Sequence, residues 1–110
     1  MLVLVLALQI AAGSTAEQTA NWVDCLSSQV EMLEPSGESA SAIAEVSVSE
    51  CYREERNLIA AIRTDFETSE NSEVRANAAG QTDQAMALVR ERMHPKIMQL
   101  VMTLRANARS

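Results

Sequence analysis

The chain has 110 residues, 47% of them hydrophobic, and a formal charge of -6 from 15 acidic and 9 basic side chains. That is room for one small domain, too little for a dinucleotide-binding domain or a barrel enzyme. An acidic total opposes general nucleic-acid binding, which needs a basic surface, and a single His beside 2 Cys leaves a zinc finger short of ligands.

The first twelve residues read MLVLVLALQIAA, an apolar run broken only by Gln9. Gly13, Ser14, Thr15 and Ala16 come next, and small Ser14 and Ala16 fit the two small-residue positions of a signal-peptidase site. Residues 1–16 are therefore read as a signal peptide and 17–110 as a single small helical domain. The pattern departs from the usual one in having no Lys or Arg ahead of the apolar run. The run is well short of the roughly 20 residues that cross a bilayer, so no stable membrane span is expected after processing. The expected location is periplasmic or secreted.

Beyond residue 16, glycine and proline are confined to Pro35, Gly37, Gly80 and Pro95, and turn clusters of the kind that separate strands are scarce. The reading is all-α. A first helix is expected over about residues 15–33, with Trp22, Leu26, Val30 and Leu33 stepping along one stripe and Cys25 at its border. Pro35 and Gly37 then end it, because proline cannot extend the hydrogen-bond ladder and glycine accepts the dihedrals of a tight turn.

A second helix is expected over about residues 39–66, capped by Ser39. Its face runs through Val48, Cys51, Tyr52, Glu55, Leu58, Ile59, Ile62 and Phe66, with Glu55 the one charged member and a weak point at Ser47–Ser49. Tyr52 is expected to pack beside its neighbour Cys51. A polar turn is expected over residues 67–72. The third helix is expected over about residues 73–106, where Met86, Val89, Met93, Ile97, Leu100 and Leu104 approximate a heptad seam. Pro95 falls inside this seam, which predicts a kink or break near residues 92–94.

Two cysteines in a short exported chain read most simply as a disulfide between Cys25 and Cys51. Their midpoint falls in the turn that separates the first two helices, so in an antiparallel hairpin they stand at similar heights. The architecture expected is such a hairpin, stapled by the disulfide, with a third long, Pro-kinked helix: a small three- to four-helix bundle. Charge divides along it. Residues 17–73 carry a net of -10 and residues 90–110 a net of +4. This predicts a basic last helix lying beside an acidic hairpin.

Motifs for chemistry are weak. Glu91 and His94 have the ExxH spacing of carboxylate-bridged metal bundles, but it occurs once and His94 precedes a proline. Glu50, Glu54 and Glu55 offer carboxylates with no second His to join them. No HExxH, GxSxG, glycine-rich phosphate loop or CxxCH occurs. No catalytic, cofactor-binding or metal-binding residue is assigned, and no cofactor is expected. Trp22 and the methionines Met86, Met93 and Met98 are read as core. The expected function is non-catalytic, by protein contact in the cell envelope, with a partner or self-association on the helix face from Met86 to Leu104. The alternative is a small-ligand or metal carrier or sensor within the helical bundle.

Overall fold

The structure is a computed structural model that describes residues 14–109; most of the expected signal peptide, residues 1–13, lies outside them. The described residues form an all-α domain of five packed helices stabilised by a disulfide. Helix α1 spans Thr15–Leu33, a 3-10 turn Glu34–Ser36, α2 Ala40–Glu50, α3 Tyr52–Glu67, α4 Ser72–Ala76 and α5 Ala78–Arg109. Helix α1 packs against α2, α3 and α5, and α5 also packs against α2 and α3.

Local chemistry sets the ends. The Ser14 hydroxyl accepts from the Glu17 amide at the start of α1, and the Ser39 hydroxyl accepts from Ala42 at the start of α2. Each satisfies an amide that the helix itself cannot. The turn between them holds Pro35 in its 3-10 segment and Gly37 at φ 78°, a left-handed conformation that costs glycine nothing. Asn71 caps α4 through Oδ1, which accepts from Glu73 and Val74.

Three expectations change. The single helix expected over residues 39–66 is two helices, and the chain turns at Cys51 (φ -92°, ψ 26°), not at the Ser47–Ser49 weak point. The third helix is likewise divided, by Asn77, into α4 and the long α5. And the alternative of a break near Pro95 is not realised: α5 is one continuous helix through it. Proline there removes one amide donor from a helix of 32 residues. Met86 before it and Ile97 and Val101 after it are buried in the common core and hold both halves in place.

The core gathers the expected stripe of α1 (Trp22, Leu26, Val30) with Ile43 and Ala44 of α2, Leu58 and Ile62 of α3, and Met86, Ile97 and Val101 of α5. Cys51 is fully buried among them. Tyr52 is not: it is 59% exposed, with the Arg56 guanidinium 5.7 Å from its ring centroid. The turn at Cys51 ends one helical face and starts another, which carries Tyr52 outward.

The basic last helix does pair with acidic residues ahead of it. Arg90 Nε lies 2.6 Å from Glu55 Oε1, and Arg105 reaches Glu34 Oε1 at 3.9 Å and also donates to the Glu38 carbonyl. Glu55 is 6% exposed, so the charged member of the α3 face is an inward carboxylate neutralised across the helix interface.

Candidate functional site

A cleft opens where α1, α2 and α5 meet. Val48 and Met93 give it an apolar surface, with the fully buried Trp22 and Ala44 beneath them, and Glu45, Arg90 and His94 are its exposed polar members. Its volume is about 280 Å³. On the other side of α5 a second cleft of about 240 Å³ runs along α1; Val23, Leu26, Val30, Ile97 and Leu100 line it, with Ser27 and Lys96 as its polar members. Met93 lines both. Apolar walls with a few convergent polar groups are the general form of a small-molecule site.

The first cleft has the richer chemistry. Arg90 uses Nε on Glu55, and its side chain is 49% exposed, so the guanidinium still presents donors outward. His94 is exposed beside it. Trp22 is fully buried, and its indole Nε1 has no hydrogen-bond partner among the described residues. The same is true of Ser47 Oγ on α2.

The second candidate is the disulfide corner. Cys25 and Cys51 are bonded, with Cα atoms 5.9 Å apart and a sequence separation of 26. A Glu54 carboxylate oxygen and the two Sγ atoms lie within 4.8 Å of one another. Cys51 sits at the start of α3 and Glu54 in its first turn, so one helical turn places both. Bonded to each other, the sulfurs are neutral and weak donors. A metal ligand must be a thiolate.

The residues singled out in the sequence are thus divided. Cys25 and Cys51 come together as expected. Glu91 and His94 are both exposed, and only His94 lines the cleft. Of the three neighbouring carboxylates, Glu50 is exposed, Glu55 turns to Arg90, and Glu54 faces the disulfide. The seam from Met86 to Leu104 is largely used within the chain. Met86 and Ile97 are core, and Val89, Met93, Leu100 and Leu104 pack against it. The large apolar side chains left exposed are elsewhere: Met32, Val46, Tyr52, Leu88 and Met102. Glu45 and Arg90 as cleft residues have no sequence signature, because α2 and α5 are joined there only by the fold. Among the described residues, no helix is long and apolar enough to cross a membrane. No protein-family model, curated protein or solved structure matches the chain.

Proposed function

We propose that the chain is an exported helical binding module that carries or senses a small amphipathic ligand in the cleft floored by Val48 and Met93. The observation that carries this reading is the cleft's composition. Its floor is apolar and its margin holds two nitrogen-bearing side chains, Arg90 and His94. The ligand class that fits is an apolar body with one anionic head: the body lies on the partly exposed Val48 and Met93, above the buried Trp22, and the head accepts from Arg90 and His94. Glu45 on the same margin repels a second anionic group. Binding of this kind involves no turnover. Export is supported by the apolar leader and by the disulfide, a bond that persists in oxidising compartments. In this reading the bridge staples α1 to the α2–α3 junction as an antiparallel hairpin and so holds the cleft walls in place.

The chain's one tryptophan lies buried directly beneath the cleft, beside Val48 and Met93, so its emission reports a change in their packing. Titration with octanoate is expected to change Trp22 fluorescence saturably. Val48→Phe, which fills the floor, should abolish the change, and His94→Ala should weaken it. An unchanged spectrum across the titration, or one that Val48→Phe leaves intact, refutes the reading.

A second reading, action by protein contact, rests on the exposed apolar side chains Met32, Tyr52 and Met102. It places the contact on these residues and not on the inward face from Met86 to Leu104. Partner capture that is lost in Met32→Ser or Met102→Ser and kept in Val48→Phe would favour it.

A further inference from the structure

We propose that reduction of the Cys25–Cys51 bridge turns this corner of the fold into a zinc site, with the two thiolates and the Glu54 carboxylate as protein ligands. The corner shares no lining residue with the cleft, and its chemistry does not depend on what the cleft binds. Three potential donor atoms are already gathered: one Glu54 oxygen and both sulfurs lie within 4.8 Å of one another. Two sulfurs bound to one tetrahedral zinc at about 2.3 Å each stand about 3.8 Å apart, a spacing that side-chain rotation reaches. The backbone separation of 5.9 Å between the Cα atoms allows it without moving α1 from α3.

Glu54 has no other task in the fold. It is half-buried, and its carboxylate makes no hydrogen bond or ion pair among the described residues. Its neighbour Glu55, by contrast, is committed to Arg90. Burial is graded across the cluster. Cys51 is fully buried, while Cys25 and Glu54 are partly exposed, so a metal ion enters from one side and leaves room there for a water as fourth ligand.

The redox step balances with a dithiol as reductant. One reductant thiolate attacks the more exposed sulfur of Cys25 and expels the Cys51 thiolate, forming a mixed disulfide. The second reductant thiol displaces Cys25 and closes the reductant's own disulfide. Two electrons and two protons pass to the protein. Zinc then displaces the two thiol protons, and the site holds three anionic donors against two positive charges. In the oxidised chain the same corner has one carboxylate and no thiolate, so the disulfide acts as a lock on metal uptake.

The test uses the full chain, oxidised and after phosphine reduction with the reductant removed under anaerobic conditions. Native mass spectrometry with added zinc should show one bound ion on the reduced chain and none on the oxidised one. Cobalt in place of zinc should give thiolate-to-metal charge-transfer absorption in the near ultraviolet. Glu54→Gln should weaken zinc binding by roughly tenfold or more, since it removes a ligand and not merely its support. If reduction loosens the fold, zinc should restore helical circular dichroism. Equal uptake by the oxidised chain overturns the proposal. So does a Glu54→Gln variant that binds as tightly as the parent, or a reduced chain that takes up no zinc or is not refolded by it.

Discussion

Removing the disulfide by Cys25→Ala with Cys51→Ala tests how this small core is held. The bridge closes a loop of 26 residues. The chain-entropy relation for such a loop gives about 3.5 kcal/mol of stabilisation, exerted by restricting the unfolded chain. Cys51 is also fully buried in the core, so trimming its sulfur adds to this loss and does not offset it. A domain of this size has a total stability of about 5–14 kcal/mol, so the double variant should fold with much of its margin gone. Melting should fall by about 15–25 °C. Urea unfolding followed by circular dichroism is the assay. The midpoint should drop, and the slope with denaturant should rise, because an unlinked denatured chain exposes more surface. A loss under about 1 kcal/mol with an unchanged slope would refute the reasoning, since the unfolded chain would then be restricted by something other than the bridge.

Other substitutions probe single interactions. Ser47→Ala deletes a buried hydroxyl with no partner among the described residues, so urea unfolding should show a gain of about 0.5–1.5 kcal/mol, and a loss would mean the hydroxyl is satisfied. Arg90→Met strands the Glu55 carboxylate and should cost about 1–3 kcal/mol, most of it recovered when Glu55→Leu is added; additive losses in that double-mutant cycle would refute the pairing. Ser14 caps α1, and Thr15 Oγ1 donates to Asp65 Oδ2 at 2.5 Å, so a chain starting at Ser14 should be about 1 kcal/mol more stable than one starting at Glu17. Equal unfolding midpoints would show that this end is not held. Intact mass after secretory expression then reports which of the two ends processing leaves, the cut after Ala16 being the expected one.

Much of the fold is legible in the sequence where one residue carries a strong local constraint. Pro35 and Gly37 force the first turn, Ser39 caps α2, and the spacing of Trp22, Leu26 and Val30 defines a buried stripe without reference to any partner. The cysteine pair is readable because its midpoint coincides with that turn. The breaks at Cys51 and Asn77 are not readable in this way. Neither residue is a strong helix breaker. Pro95 is the converse case. Its local penalty is real, and burial of residues on both sides outweighs it. The cleft is the least legible feature. Trp22, Val48 and His94 belong to three helices, and Glu45 and Arg90 read as ordinary surface charge until the helices are assembled. Glu54 is similarly one carboxylate among three neighbours until the turn at Cys51 aims it at the disulfide.

The binding reading is tested most directly by amide and side-chain NMR of the oxidised chain titrated with octanoate. Saturable shifts are expected, centred on Val48, Arg90, Met93 and His94 and on the Trp22 indole beneath them, with Met32 and Met102 undisturbed. Shifts that stay linear with concentration, or that centre on Met32, Tyr52 and Met102, would contradict a ligand seated in the cleft.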